Sequence, residues 1–153
     1  MNFLSLTNPI MMNNEALNRS KPDRDGLIKN IQAFLETRVD IRFAYVFGSF
    51  LDEEHFRDID LGIYIDETDA ITKDKFYDIE LSTKIEEIVK FPVDIIVLNR
   101  APAAIVYNAS KGMLIKNIDD DLRVDFITLS WNKYWDYKHI LHDHMEERKR
   151  GSQ

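Results

Sequence analysis

Phe47-Gly48-Ser49-Phe50 and Asp58-Ile59-Asp60 are the residues of this chain whose types and spacing suit chemistry. In a strand, side chains at i and i+2 point to one face, with Cα atoms roughly 6.5–7 Å apart. Asp58 and Asp60 therefore aim two carboxylates at one spot, while Ile59, Leu61, Ile63 and Ile65 face the other way, toward a core. Two ionised carboxylates that close repel each other unless a cation lies between them. A hard divalent metal, which prefers oxygen ligands, is the simplest such cation. Gly48 ends the preceding apolar run and lets backbone approach phosphates closely, and the Ser49 hydroxyl can donate to a phosphate oxygen. Metal-assisted nucleotidyl transfer needs this combination.

Asp94 sharpens the expectation. It sits second in Val93-Asp94-Ile95-Ile96-Val97-Leu98, an otherwise apolar run in which a charge is costly without a reason. If this strand lies beside the Asp58–Asp60 strand, three carboxylates share one site. Such a trio suits up to two Mg²⁺ ions, one gripping a triphosphate and one activating an attacking hydroxyl. Asp94, flanking the attacking oxygen, is the candidate general base. Each part alone has a plainer reading. Gly and Ser fill ordinary turns, and an Asp at the start of a strand can be a solvated end. It is the conjunction of strand, Gly-Ser, Asp-x-Asp and a strand-borne Asp that points to a nucleotidyl-transfer site.

The elements that must position these residues follow from periodicity. Residues 1–24 are polar, Asn-rich and carry Pro9 and Pro22, which reads as a loosely ordered lead-in with Met11 or Met12 as a possible start. From 25 to 148 the pattern is that of one domain. Leu27, Ile28, Ile31, Phe34 and Leu35 recur at helical spacing behind Asp25 as N-cap. Strands follow at 42–47 and 58–65. A helix over 73–90 carries Phe76, Ile79, Glu80, Thr83, Ile85, Ile88 and Val89 as its imperfect stripe and ends at Phe91-Pro92. A third strand spans 93–98, a short helix 101–110 ends at Lys111-Gly112, and a short fourth strand covers 113–116. Asp119-Asp120-Asp121 caps a long final helix over about 122–148. The expected fold is α+β: a mixed sheet of three to four strands flanked by helices, with a long C-terminal helix.

Composition bounds the function. At 153 residues, 44% hydrophobic and 31% charged, the chain can bury a sizeable core. No run approaches a membrane span, and the first residues lack the basic n-region of a signal peptide. There are no cysteines, which excludes disulfides and thiolate metal sites and suits the cytoplasm. With a net charge of −7 the chain lacks the basic surplus of a protein that grips long nucleic acid, so a polynucleotide partner is disfavoured.

Tyr45-Val46-Phe47-Gly48-Ser49 with Asp58-Ile59-Asp60-Leu61 resembles the signature of the DNA polymerase β-like nucleotidyltransferase superfamily. The likeness extends to Val93-Asp94-Ile95-Ile96 and Leu98-Asn99-Arg100-Ala101-Pro102, and is most specific to the minimal nucleotidyltransferase (MNT) antitoxins encoded beside HEPN-domain toxins. The resemblance implies Gly48 and Ser49 at the nucleotide triphosphate, and Asp58, Asp60 and Asp94 as metal-binding catalytic carboxylates. It implies AMP transfer from Mg-ATP to a tyrosine of a cognate HEPN ribonuclease toxin, which neutralises it. One departure stands out: eight residues, Phe50 to Arg57, separate Ser49 from Asp58 here, where the family commonly has ten. The shorter loop bears on the nucleotide pocket rather than on the metal ligands.

The C-terminal helix is the second informative region. Phe126, Trp131, Tyr134, Trp135 and Tyr137 place five aromatics within twelve residues. Ile127, Trp131 and Trp135 form one line, and Tyr134, Tyr137, Leu141 and Met145 another. Either both lines pack on the domain, or one is a partner face with Trp131, Trp135 or Tyr137 as anchors; in the antitoxin family that partner is the toxin. Of His139, His142 and His144 only the first two share a helix face, which reads as a solvated segment rather than a metal site. Three functions are compatible: a partner-modifying nucleotidyltransferase, which the residues favour; a small-molecule enzyme of the aminoglycoside-modifying type; and a non-catalytic antitoxin that acts by binding. The second usually has a further helical domain, and the third has no need of three clustered carboxylates.

Overall fold

In the computed structural model, residues 23–151 are described. The lead-in expected over 1–24 lies outside them except for Asp23 and Arg24. The elements run α1 (Arg24–Glu36), β1 (Ile41–Phe47), α2 (Ser49–Asp52), β2 (Ile59–Ile65), α3 (Tyr77–Val89), β3 (Val93–Val97), α4 (Ala103–Ser110), β4 (Met113–Asn117) and α5 (Asp120–Arg150). The strands form one mixed sheet in the order β3-β2-β1-β4. β1 pairs antiparallel with β2 and β4, and β2 pairs parallel with β3 across the α3 crossover. The α+β expectation holds.

Strand alternation divides the sheet into two faces. Ile59, Leu61, Ile63 and Ile65 join Ala44 and Val46 beneath α1 and α3, where Ile28, Ile31, Leu35, Leu81 and Ile85 complete the main core. Each fully buried Ile or Leu contributes about 1.5–3 kcal/mol. The opposite face carries Phe43 and Tyr45, covered by Leu98, Val106 and Ala109, with Phe126 and Ile127 of α5 packed alongside. Asp60 falls on this second face, as do Gly62 and Tyr64.

Several boundaries differ from the sequence reading, for identifiable reasons. α1 is capped by Asp23, whose carboxylate accepts the Gly26 N–H at 3.1 Å, so Asp25 lies in the first turn as a dipole complement instead. α3 starts at Tyr77 rather than 73, after a 3₁₀ turn over Ala70–Lys73. Its buried stripe is Tyr77, Leu81, Ile85 and Val89, while Phe76, Ile79 and Ile88 are exposed. The orientation is fixed by a pair distant in sequence: the Tyr77 hydroxyl donates to the buried Asp40 carboxylate, which Arg38 also grips through two 2.8 Å hydrogen bonds. Lys90 adopts the left-handed conformation that ends the helix before Phe91-Pro92.

α5 behaves as expected at both ends. Asp119 accepts the Leu122 N–H at 3.0 Å, and Arg148, Lys149 and Arg150 occupy the last turn. Its N-terminal half packs on α4, where Tyr107 stacks on Tyr134 at 4.2 Å between ring centroids and meets Trp131 at 4.6 Å. The Trp131 indole N–H donates to Ser110 Oγ at 2.7 Å. Beyond Trp135 the helix stands clear of the domain, with Tyr137, Ile140, Leu141 and Met145 exposed. Among the described residues no helix is long and apolar enough to cross a membrane.

Candidate active site

β1 ends at Phe47, and Gly48 turns the chain with φ 78° and ψ −157°, a conformation open in practice to glycine alone. A side chain there would also collide: a Cβ on Gly48 would stand 2.5 Å from Asp60 Oδ2. Gly48 is thus required twice, by its own backbone and by the carboxylate behind it. Ser49 opens α2, a single turn that the sequence reading did not anticipate because four residues carry no periodicity. Phe50, fully buried in the main core, anchors that turn.

Asp58 lies one residue before β2, and Asp60 is the second residue of the strand. Across the parallel ladder Asp60 is the direct partner of Asp94. The structure therefore brings Asp94 beside Asp58 and Asp60, from which the sequence separates it by more than thirty residues. Asp58 and Asp60 are half-buried, and Asp94 is exposed because β3 is an edge strand. Partial burial, then repulsion from Asp58 and Asp94, raises the proton affinity of Asp60 above that of an ordinary carboxylate. Among the described residues, no three carboxylate or imidazole side chains enclose a common metal position as they stand. The donor set nonetheless fits a hard divalent cation: all its ligands are oxygens, it crowds negative charge against negative charge, and the missing Gly48 side chain leaves Asp60 Oδ2 open.

The register that aligns Asp60 with Asp94 is locked at both ends of the strand pair. At one end the Ile59 N–H donates to the Pro92 carbonyl at 2.9 Å. At the other, the Asn99 side chain accepts the Ile65 N–H and donates to the Ile65 carbonyl, both at 2.9 Å. Glu86 holds β3 from the α3 side by accepting the Val93 N–H at 2.9 Å.

The short loop between Ser49 and Asp58 is packed down. Phe56 meets Phe50 edge-on at 4.8 Å and Phe91 at 5.1 Å. The Arg24 guanidinium sits 5.0 Å from the Phe56 ring centroid and donates to the carbonyl of Glu53. Nothing local marked Arg24 for this role, since its partners lie some thirty residues downstream. His55 is exposed on this loop, and His139, His142 and His144 are exposed on α5.

A cavity of about 490 Å³ opens beside Gly48, lined by Phe47, Gly48, Leu51, Asp52, Asn108, Lys111 and Gly112. Phe47 is the cross-strand partner of Asp60, so the cavity adjoins the carboxylates on the same sheet face. In the sequence, Lys111-Gly112 marks only the end of a helix. Its further placement depends on the α4–β4 turn folding back on β1, where a Cβ on Gly112 would overlap the Val46 carbonyl oxygen.

Residues 29–121 match the family described as Polymerase beta, Nucleotidyltransferase. The chain belongs to that family. No curated protein matches the sequence. Among solved structures, this nucleotidyltransferase resembles a chain of a toxin–antitoxin complex with AMP-PNP, at 18% identity and a TM-score of 0.63, covering 78% of this chain and 96% of that one. A chain of the toxin–antitoxin complex MntA–HepT matches at 16% identity and TM-score 0.61, covering 80% and 97%. A third match lies in the complex of the tri-AMPylated HEPN toxin of Shewanella oneidensis with an MNT antitoxin, at 17% identity and TM-score 0.62, covering 81% and 97%. At such identities the likeness is one of fold, and that fold spans nearly the whole of each matched chain.

Proposed function

We propose that this nucleotidyltransferase is an MNT-type antitoxin that transfers AMP from Mg-ATP to a tyrosine of a cognate HEPN ribonuclease toxin. The observation that carries the chemistry is the Asp60–Asp94 cross-strand pair, with Asp58 beside it and Gly48 opening the phosphate side. The partner and the acceptor are supported by the three matched complexes, one of which contains an AMPylated HEPN toxin. Use of ATP and a ribonuclease target both suit the cytoplasm.

Asp58, Asp60 and Asp94 would hold up to two Mg²⁺ ions. When bound there, Mg²⁺ neutralises the triphosphate and lowers the pKa of the attacking hydroxyl. The chain's own residues do the rest. Gly48 and Ser49 bind the triphosphate through backbone and hydroxyl and hold its α-phosphorus near the carboxylates. Asp94, on the exposed edge strand, faces an incoming acceptor and takes the tyrosine proton. The tyrosine oxygen bonds to the α-phosphorus, the bond from that phosphorus to the bridging oxygen breaks, and pyrophosphate leaves. The exposed aromatics of α5, Trp135 on one side of the helix and Tyr137 on another, are the candidate contacts for the toxin, whereas Trp131 is turned inward onto α4.

Incubation with α-labelled ATP and Mg²⁺, with and without the neighbouring gene's product, tests the reading. Label is expected on that product alone. Label on a small molecule, or neutralisation of the toxin with no label at all, overturns it.

A further inference from the structure

The cavity beside Gly48 has a lining with a chemistry of its own. We infer that it receives the β- and γ-phosphates of the nucleotide, with Lys111 as their counter-charge and Asn108 as a hydrogen-bond donor beside it; this rests on the nucleotidyltransferase reading of the Asp58–Asp60–Asp94 site. The location is fixed by register. Phe47 and Gly48 line the cavity, and they are respectively the cross-strand partner of Asp60 and the residue whose missing Cβ faces Asp60 Oδ2. A nucleotide with its α-phosphorus at the carboxylates therefore has its polyphosphate tail within reach of this cavity.

Charge argues for the tail rather than the base. Asp52 lines the cavity, Asp60 stands behind Gly48 with Asp58 and Asp94 beside it, and a triphosphate is itself multiply anionic. Metal at the aspartates neutralises one side only. Lys111 is the one cation among the residues lining the cavity. Its ammonium lies 4.5 Å from the Tyr107 ring centroid and is in none of the ion pairs among the described residues. An exposed lysine held by a ring face, rather than by a carboxylate, remains available to an incoming anion. Its position is rigid at the backbone because the Gly112 turn lies against the end of β1. The volume, about 490 Å³, is within the usual range for a small-ligand site.

Calorimetric titration of ATP, ADP and AMP into the full chain with Mg²⁺ tests this, using Lys111→Gln, Lys111→Arg and Asn108→Ala. Lys111→Gln is expected to weaken ATP binding about tenfold or more, as loss of a charge-assisted contact does, and to leave AMP within about twofold. Lys111→Arg should keep most of the ATP affinity, and Asn108→Ala should fall between the two. ATP affinity unchanged in Lys111→Gln, in a protein that still transfers AMP, overturns this inference and leaves the parent reading standing. Equal losses for ATP and AMP also overturn it, by placing the nucleoside in the cavity. A wild-type chain that binds no nucleotide overturns both.

Discussion

Asp60 and Asp94 stand directly opposite one another in a parallel ladder, two acidic side chains on neighbouring strands with Asp58 close by. Like charges in that relation destabilise a sheet, yet everything around them enforces it. Asn99 pins the end of β2, Glu86 pins the start of β3, and Ile59 and Leu61 on either side of Asp60 are fully buried. A sheet that holds repelling charges together this firmly suits the cation-binding role proposed for it.

Asp58→Asn and Asp60→Asn should each abolish AMP transfer while leaving the fold intact. With EDTA present, the melting temperature should stay level or rise, since one source of repulsion is gone. A large loss of stability in EDTA would mean the carboxylates are structural, and wild-type turnover in both variants would end the metal assignment.

ATP affinity should collapse when Mg²⁺ is removed. Without a cation the α-phosphate end of the nucleotide faces three aspartates, and Lys111, on the far side of Gly48, does not offset them. Calorimetry with and without a chelator checks this; equal affinities would place the nucleotide elsewhere.

Gly48→Ala forces a Cβ against Asp60 Oδ2 in a backbone region that L-residues avoid. Strain of this kind costs about 1–3 kcal/mol. The variant should fold with a melt lowered by that amount, but transfer should be lost more completely than stability. Activity falling only in step with the folded fraction would reduce Gly48 to a turn residue.

Local pattern made the site legible and long-range contact completed it. The alternation of Asp58 to Ile65 fixes which residues turn to the core, and Asp94 stands out in its apolar strand without reference to anything else. By contrast, α3 presents two plausible apolar stripes. The choice falls to the one led by Tyr77, because its hydroxyl reaches Asp40 on a distant segment. The placements of Arg24 on the loop before Asp58 and of Lys111 in the cavity beside Gly48 escape the sequence for the same reason: each depends on backbone or space that the sequence places far away. Lys116 is a parallel case, buried with its ammonium donating to the Leu35 carbonyl at the end of α1, where local pattern indicates only a short fourth strand.

Tyr77→Phe removes one donor to the buried Asp40 carboxylate. Burial by itself favours the neutral acid there, but hydrogen bonds from Arg38 and Tyr77 outweigh it and hold Asp40 below the ordinary value of 3.8. A depressed carboxylate stabilises the fold fully above its unfolded pKa and loses that contribution as pH falls through the folded value. The variant should therefore be about 1.5–3 kcal/mol less stable near pH 7, with the gap to wild type closing below about pH 4. Urea melts across pH read this directly; a gap independent of pH would assign the loss to packing alone.

Trp131 and Trp135 sit one helical turn apart and should respond differently to truncation. Trp131 donates to Ser110 and packs on Tyr107, so Trp131→Ala should cost about 2 kcal/mol of stability or more. Trp135 is 44% exposed and meets Tyr107 of α4 edge-on at 5.8 Å between ring centroids, and Tyr137, farther along the helix, is 61% exposed. In the toxin-binding role proposed above these side chains are anchors, and truncating a buried anchor weakens a complex by about 2 kcal/mol or more. Trp135→Ala and Tyr137→Ala should keep the wild-type melt and ATP affinity while losing co-purification with the toxin. Two folded variants that still capture the toxin at full strength would move the contact surface off this helix.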